Sequence, residues 1–299
     1  MGLKIMVTGA GGTMGQEVVG ALHRAGAQFI AVSRSLERLP SHVKGLQLDY
    51  NNPLLLQEAL RGVDVLLLSQ PFEPNMLAQA ENIVKAARKA GVEFIVRVSG
   101  LGAHERSAYL YQRIQGEVDE LVASSGIPFA ILKPNIFMQC FVKSFGDAIR
   151  QGVLFLPQGE GRTSYVDARD AAEVAASILQ NPWHHAQKTF TLTGERPISN
   201  AEAISLISHQ VRRRLAYVPV TEETAIKKML KSQPEPWVVD VMMSVHKAAK
   251  EGAIESVSET LSSTFGKAPR KFEDFCVEMK EHWKIQPKVP QNNLSANSL

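Results

Sequence analysis

The sequence predicts an α/β fold in which a doubly wound parallel sheet is covered by helices, and three observations carry this prediction. A glycine-rich run, GAGGTMG at 9–15, follows directly on the apolar segment 3–7. Short apolar segments then alternate with amphipathic ones through the first half of the chain. The apolar segments are rich in Val, Ile and Leu without interruption, which is typical of parallel strands buried on both faces.

The first strand, the glycine turn and the helix start have the architecture that holds a dinucleotide pyrophosphate. Main-chain N–H groups at a helix N-terminus favour an anion, which can approach only where side chains are absent. We assign Gly9 to the tight turn, Gly12 to the approach of the phosphates and Gly15 to helix packing, although an ordinary strand-to-helix turn is the alternative. A second strand completes a βαβ unit and favours a Rossmann-type fold. The candidate contacts are Gly9, Gly11, Gly12, Thr13, Met14 and Gly15.

The remaining elements of this fold follow in order along the chain. Asn52 caps a helix that has Pro53 in its first turn and Gly62 beyond its end. A longer helix runs from about 75 to 90, where Gly91 stops it. Strands are predicted at 3–7, 29–32, 46–48, 63–68, 94–98, 129–132 and 189–192.

A change of pattern after residue 132 predicts a smaller lobe over the carboxyl ends of the strands, where ligands of open α/β sheets bind. Aromatic and polar residues mix without strand alternation, and from residue 198 onward the pattern is mainly helical apart from a strand at 215–218. The predicted division is a nucleotide-binding core at 1–137 and 166–194, an insert at 138–165, a mainly helical C-terminal substrate lobe at 195–287 and a mobile tail at 288–299.

The charge pattern gives no sign of a polyanionic partner. The chain has 33 basic and 30 acidic residues, a net charge of +3 and a pI of about 8.8, with the charges spread along its length. We therefore expect neither a nucleic-acid partner nor a membrane partner. The densest basic run, at 212–214, is interpreted as a solvated turn.

Cysteine and histidine usage predicts a reducing compartment and no metal site. Cys140 and Cys276 are the two cysteines of the chain, which is too few for a disulfide framework. The neighbours His184 and His185 cannot both face one ion from a regular element. The chain starts without the charged segment of a signal peptide and has no apolar run of membrane-spanning length, so we expect a cytoplasmic location. The expected oligomeric state is a monomer or a homodimer.

The end of the second strand indicates the choice of cofactor. In this fold a carboxylate at that position accepts hydrogen bonds from the ribose of NAD, whereas this chain has Ser33 and Arg34 there. A guanidinium in place of a carboxylate favours the extra phosphate of NADP. The alternative is that Arg34 is a solvated loop residue.

Other strand ends supply the remaining candidate cofactor contacts. Asp49, with Tyr50 beside it, is placed either to accept from the adenine amino group or to serve as a turn carboxylate near Asn52. The strand ends that should border the nicotinamide half carry Ser69, Gln70, Pro71, Ser99 and Gly100.

These features together resemble the NmrA-like family of atypical short-chain dehydrogenases, and within it the bacterial NAD(P)H-dependent quinone and triphenylmethane dye reductases. The match extends over nearly the whole chain, and the segments that carry it lie at 8–15, 125–135, 137–139, 166–172, 191–194 and 265–275. The resemblance implies NADP(H) binding, with hydride transfer in members that are enzymes and redox sensing in members that are regulators. Within the second segment, Pro134 and Phe137 are further candidate cofactor contacts.

The chain departs from the catalytic pattern of its relatives. Typical dehydrogenases of the superfamily place Tyr and Lys four residues apart, but here Tyr111 is followed at that spacing by Gln115, and Tyr109 by Arg113. Related reductases commonly carry His and Glu at the sites of Gln115 and Asp119. Since glutamine can donate a hydrogen bond but exchanges no proton near neutral pH, strong acid–base catalysis is not expected at that site.

The leading hypothesis is an NADPH-dependent reductase of an aromatic or conjugated small molecule, because such acceptors need acid–base catalysis least. Tyr111 is the first candidate donor to a developing oxyanion and Tyr109 the second, with Gln115, Ser99 and Asn135 nearby. The alternatives are an NADP(H)-sensing regulator without turnover and a biosynthetic enzyme that uses bound NADP for a rearrangement. Candidate pocket residues, for each of which a place in the apolar core is the alternative, are Phe72, Phe137, Met138, Phe141, Phe155 and Trp237.

Overall fold

The centre of the protein is a parallel sheet of seven strands. The structure is a computed structural model and describes residues 2–231 and 234–284. The strand order is β3-β2-β1-β4-β5-β6-β9, so the direction of winding reverses between β1 and β4. This confirms the predicted α/β class and places the switch point beside the glycine turn. The strands are β1 (Ile5–Val7), β2 (Phe29–Val32), β3 (Gly45–Leu46), β4 (Val65–Leu68), β5 (Phe94–Val98), β6 (Phe129–Pro134) and β9 (Lys188–Leu192).

Helices cover both faces of this sheet, as the apolar strands require. On one face α1 packs against α7 over a core that includes Val18 and Val96, and on the other face α2 and α3 cover Leu66 and Ile95. Both cores are therefore closed, and the doubly wound prediction is confirmed. The helices of this layer are α1 (Thr13–Arg24), α2 (Pro53–Ala59), α3 (Met76–Ala90), α4 (Leu110–Ala123) and α7 (Ala168–Gln180).

Many of the remaining elements surround a separate apolar cluster beyond the carboxyl ends of the strands, whereas the helix at 260–265 packs on α7 and β9. Phe141, Leu154, Ile204 and Trp283 belong to this cluster. Two small two-stranded sheets accompany its helices: β8 pairs with β10 antiparallel and β7 pairs with β11 in parallel. The elements are α5 (Cys140–Lys143), α6 (Gly146–Gln151), β7 (Val153–Leu156), β8 (Arg162–Thr163), β10 (Ile198–Ser199), α8 (Asn200–Val211), β11 (Ala216–Pro219), α9 (Glu222–Leu230), α10 (Pro236–Lys250), α11 (Thr260–Phe265) and α12 (Phe272–Met279).

The predicted elements all occur, with shifts at their ends. The Asn52 side chain accepts hydrogen bonds from the main-chain N–H groups of Leu54 and Leu55, and Gly91 ends α3 with a φ of 79°. The third strand ends at Leu46 rather than residue 48, because β2 pairs with it only as far as that residue. The predicted domain boundaries stay predictions, and the predicted tail at 288–299 lies outside the described residues.

The basic run at 212–214 is more than the predicted solvated turn. Arg212 does form the turn, with a φ of 52°. However, Arg213 is half-buried, and its guanidinium donates to the carbonyl oxygens of Ile149 and Arg150 at 2.9 and 2.8 Å. The prediction was wrong for Arg213 because the end of α6 leaves carbonyl groups that a long cation can reach.

Neither a membrane-spanning helix nor a metal-binding cluster occurs within the described ranges, 2–231 and 234–284. No helix there is both long enough and apolar enough to cross a bilayer. No group of three or more His, Cys, Asp or Glu side chains there could hold a metal ion.

Trp283 anchors the C-terminal described segment, so its truncation tests the packing of the lobe. Its side chain is fully buried, and its indole N–H donates to the carbonyl oxygen of Phe141 at 2.8 Å. We expect Trp283→Ala to lower the free energy of unfolding by about 3–5 kcal/mol in urea denaturation, because a large cavity remains. Trp183, which is 53% exposed, is the control, and an equal loss in Trp183→Ala would contradict this assignment.

Candidate active site

A cavity of about 530 Å³ opens at the carboxyl edge of the sheet, between the glycine turn and the lobe. The ends of β4, β5 and β6 form its floor, and α10 forms a further wall. Most of the residues that the sequence assigns to the cofactor or to catalysis meet in this cavity. They are Gly9, Gly12, Thr13, Met14, Gly15, Ser69, Gln70, Pro71, Ser99, Tyr109, Tyr111, Gln115, Pro134 and Phe137.

The glycine turn leaves a cradle without side chains at the start of α1. Gly9 has a φ of 65°, and a β-carbon there would lie 2.8 Å from the carbonyl oxygen of Ser69. Gly12 is the N-cap of α1 and offers no side chain to its first N–H groups. A β-carbon on Gly15 would collide with the carbonyl oxygen of Gly9. The turn therefore fits a pyrophosphate group, which would accept hydrogen bonds from these free N–H groups.

A second groove of about 530 Å³ lies beside the end of β2 and fits the adenosine half of a dinucleotide. Arg34, Asp49, Tyr50 and Pro71 line it together with Glu73. The Arg34 side chain is 66% exposed, and its guanidinium pairs with the Glu73 carboxylate. Because an exposed ion pair is weak, a bound phosphate could compete with Glu73 for this cation.

Asp49 forms the turn that was one of its two predicted roles. Its Oδ1 atom accepts from the main-chain N–H of Asn51 at 2.9 Å and from the Asn51 side chain at 3.0 Å. Its carboxylate still borders the groove, so the adenine contact stays a prediction.

Three predicted cofactor residues line neither cavity. Gly11 faces the hydroxyl of Ser33, which in turn donates to the carbonyl oxygen of Ser35 at 2.8 Å. Gly100 lies against the ring of Tyr111, where a β-carbon would come within 2.7 Å of the phenol oxygen. In this structure Gly11, Ser33 and Gly100 thus shape the walls behind the residues that line the site.

A buried network of charges lies under the floor of the main cavity, and sequence reasoning missed its central member. The side chain of Arg97, on β5, is fully buried and lies 3.6 Å from a carboxylate oxygen of Asp119. Asp119 also accepts from the hydroxyl of Ser99 at 2.7 Å and lies 3.3 Å from the ammonium of Lys133. Burial raises the pKa of Asp119 and lowers that of Arg97, while the contacts of each with the other oppose both shifts. A cation in the otherwise apolar segment 94–98 was the signal that could have revealed this network.

The network orients Gln115, which lies where the sequence resemblance implies a histidine. The Arg97 guanidinium donates to Oε1 of Gln115, so the Nε2 amine of this side chain is left as a donor. Gln115 is buried and borders the cavity. Its amide would therefore present N–H groups to a carbonyl oxygen in the cavity.

The two candidate tyrosines differ in what their hydroxyl groups contact. Tyr111 is stacked on Phe72 with ring centroids 4.9 Å apart, and burial raises the pKa of its phenol to about 12. Its hydroxyl thus keeps its proton at neutral pH. Tyr109 instead donates to the carboxylate of Glu251 at 2.8 Å, which raises the pKa of its phenol. Tyr111 is therefore better placed than Tyr109 to donate to a ligand.

The predicted helpers Ser99 and Asn135 are already engaged with the protein. Ser99 donates to Asp119, as described above. The Asn135 amide donates to the hydroxyl of Ser164 at 2.7 Å and to the carbonyl oxygen of Ile254 at 2.9 Å. Both residues border the cavity, and their hydrogen bonds hold its walls in place.

Of the six aromatic and methionine residues predicted to line the pocket, Phe72 and Phe137 do so. The prediction was wrong for the other four. Met138 and Phe141 point into the lobe core, and Phe155 is exposed beneath the ammonium of Lys228. Trp237 packs beside Phe72 with ring centroids 6.4 Å apart. Apolar character alone did not distinguish a cavity wall from a packed core.

Sequence reasoning also missed His246, which lies on α10 and borders the cavity. The side chain is buried, and its Nδ1 atom lies 2.8 Å from the amide nitrogen of Gln158. Burial lowers the pKa of this imidazole to about 4. The segment around it is a plain amphipathic helix, so no local motif marks the residue.

Comparisons with known proteins agree with this geometry. The family model described as the NmrA-like family matches residues 1–276, which is most of the chain. The chain therefore belongs to the NmrA-like family, and it is an oxidoreductase of the atypical short-chain dehydrogenase type.

Three relatives illustrate the likeness. The chain is 32% identical to NAD(P)H azoreductase of Xenophilus azovorans, over 91% of this chain and 96% of that protein. It is 27% identical to quinone oxidoreductase 2 of Escherichia coli K12, over 88% and 93% of the two chains. The solved structure of triphenylmethane reductase from Citrobacter sp. complexed with NADP(H) matches with a TM-score of 0.80 at 27% identity and covers 93% of this chain and 100% of that one.

The low pKa of His246 predicts a loss of stability in acid. An ordinary histidine titrates near pH 6.5, so the unfolded chain gains this proton at a higher pH than the folded protein does. The contribution of the neutral imidazole to the free energy of unfolding is fully present above pH 6.5. It falls by about 3 kcal/mol as the pH falls to about 4. Urea denaturation of the wild type and His246→Gln across this range measures it. Identical pH slopes for the two proteins would contradict the burial of a neutral imidazole.

Proposed function

We propose that this oxidoreductase transfers hydride from NADPH to a flat, conjugated small molecule such as a quinone or a dye. The observation that carries the proposal is the single cavity that begins at the glycine turn and continues past the strand ends to Phe72, Tyr111 and α10. It joins a cradle for phosphates to an aromatic wall, which is what a nucleotide and a flat acceptor in contact would need.

The cofactor is NADP(H), which supplies the hydride when bound. The main-chain N–H groups at the start of α1 would hold its pyrophosphate, and Arg34 would hold the ribose phosphate. The nicotinamide half would then lie at the carboxyl edge of the sheet, where Ser69, Pro134 and Phe137 line the cavity.

The protein groups at the reacting end orient ligands and donate hydrogen bonds. The Gln115 amide, held by Arg97, would donate to a carbonyl oxygen. The Tyr111 hydroxyl would donate to oxygen or nitrogen of the acceptor, and its stacking on Phe72 fixes the ring. Neither group exchanges a proton readily at neutral pH, so positioning and the exclusion of water would contribute most of the rate.

This donor set supports an acceptor whose reduced form is stabilised by conjugation. Hydride addition to a quinone gives a delocalised anion, and addition to a cationic dye gives a neutral product, so neither needs a strong acid at the moment of transfer. The activities for which the azoreductase and the quinone oxidoreductase are named support the same class of acceptor.

The regulator without turnover is the less favoured alternative, because relatives over nearly the full chain are named as reductases. A cytoplasmic location, the absence of a nucleic-acid partner and the monomer or homodimer state stay predictions.

Turnover tests the proposal directly. NADPH oxidation, followed by loss of the dihydronicotinamide absorbance, should accelerate with quinones, azo dyes or triarylmethane dyes. Saturated ketones serve as the control, and we expect them to be reduced far more slowly. Tight NADPH binding without turnover of any acceptor in this panel would contradict the proposal and favour the regulator.

Replacement of Arg34 tests cofactor choice. We expect Arg34→Ala to weaken NADPH binding by about 1.5–3 kcal/mol in calorimetry and to leave NADH binding nearly unchanged, because NADH lacks the extra phosphate. Glu73→Gln should change NADPH affinity in the opposite direction, since it releases the guanidinium. Arg61→Ala, at an exposed site outside both cavities, is the control. Equal losses for both cofactors would remove Arg34 from this role.

Tyr111→Phe tests the donated hydroxyl. The variant keeps the stack on Phe72 but loses the O–H group, so kcat should fall about 10-fold or more while the dissociation constant of NADPH changes little. Tyr109→Phe is the matched control, because its hydroxyl faces Glu251. Unchanged kcat in Tyr111→Phe would make this residue a packing residue.

A further inference from the structure

His246 brings a further polar group to the cavity. It comes from α10, in the C-terminal part of the chain, and not from the nucleotide-binding core. It lies in the fourth turn of α10, whose residues Met242, Ser244, Val245 and Ala248 also border the cavity. The hydroxyl of Ser244 accepts from the main-chain N–H of Tyr111 at 2.9 Å, so α10 is attached to the start of α4. His246 and Tyr111 are thus held on two elements that are joined directly.

A chain of side-chain hydrogen bonds holds the imidazole. The hydroxyl of Tyr165 donates to Oδ1 of Asn200 at 3.1 Å. The Asn200 amine then donates to Oε1 of Gln158. The Gln158 amine lies 2.8 Å from Nδ1 of His246. All four residues are buried, so this chain is ordered away from bulk water.

The direction of this chain decides the tautomer of the ring. Since Gln158 uses its oxygen to accept from Asn200, its remaining group toward His246 is an N–H donor. Nδ1 must then accept, and the proton of a neutral imidazole lies on Nε2. Among residues 2–231 and 234–284, Nε2 has no hydrogen-bond partner, and the ring borders the cavity. Within these ranges, the Nε2–H donor therefore has no protein acceptor.

We propose that His246 is a catalytic residue whose Nε2–H donates a hydrogen bond to the oxygen of a quinone-like acceptor. The proposal rests on the function proposed above and adds a residue to it. It differs from a purely structural role, because a structural imidazole in a packed wall would have both nitrogens paired within the protein.

The chemistry balances without a proton from His246. Two electrons and one hydrogen leave NADPH as hydride, a bond forms from this hydrogen to the acceptor, and NADP⁺ remains. The added electron pair leaves a negative charge on the acceptor oxygen, which the Nε2–H group stabilises. Water then protonates this oxygen and releases hydroxide. Because burial keeps the imidazole neutral at pH 7, the ring donates a hydrogen bond and keeps its proton.

The matched acceptors for the test are a quinone and a cationic triarylmethane dye. Hydride addition to the dye neutralises its central carbon and creates no oxyanion. Removal of the donor by His246→Phe should therefore lower kcat with the quinone about 10- to 100-fold and change kcat with the dye by less than about 3-fold. Equal losses with both acceptors would overturn the proposal.

A second variant separates loss of the donor from loss of the fold. His246→Gln can place an amide N–H near the position of Nε2, so it should recover much of the quinone turnover that His246→Phe loses. NADPH affinity and the midpoint of thermal unfolding are measured for both variants. If His246→Gln is as slow as His246→Phe with quinone while both bind NADPH normally, the donated hydrogen bond is not the cause.

The tautomer provides a readout that does not depend on turnover. In protein labelled with ¹⁵N-histidine, long-range proton–nitrogen correlation at pH 7 should find His246 neutral with its proton on Nε2. A proton on Nδ1, or a charged ring, would overturn the proposal. If the wild type reduces neither acceptor, the proposed function fails. A proton on Nε2 would then support only the orientation of the ring as a donor and not its role in catalysis.

Discussion

The arrangement depends on one contact that side chains would prevent, the approach of an anion to the main-chain N–H groups at the start of α1. Gly9 turns the chain with a positive φ, and Gly15 lets the helix pack directly on that turn. The strand order reverses at the same place, so the sheet itself opens a crevice there. The cradle and the crevice together define where a nucleotide would lie and, from it, where an acceptor would meet the nicotinamide.

The reacting end departs from the catalytic pattern that the sequence resemblance implies. The expected pairing of tyrosine with lysine at a spacing of four is absent, and Gln115 lies where the resemblance implies a histidine. Positive charge is nevertheless present beneath the site, because Arg97 and Lys133 approach Asp119 from two different strands. Replacing one partner alone would leave an uncompensated buried charge, which explains why such a network acts as a unit.

Much of the fold could be predicted from the sequence because its signals are local. The glycine turn, the cap at Asn52 and the stop at Gly91 each depend on a few neighbouring residues, and the apolar strands follow from their own composition. The predicted cofactor contacts stay predictions, but most of them line one cavity, since strand ends of a parallel sheet meet at one edge. The substrate half could not be predicted in this way. His246, Gln158 and Arg97 come from separate elements, and only the tertiary structure brings their polar atoms to one cavity. The same limit explains the error at Met138 and Phe141, whose apolar side chains were equally compatible with a wall and a core.

The most direct test of the central claim is a calorimetric titration of the folded wild-type protein with NADPH and with NADH. The account predicts heat of binding for NADPH at a single site per chain, with a tighter dissociation constant than for NADH. Absence of heat with both nucleotides would contradict the phosphate cradle, and with it the proposed hydride transfer.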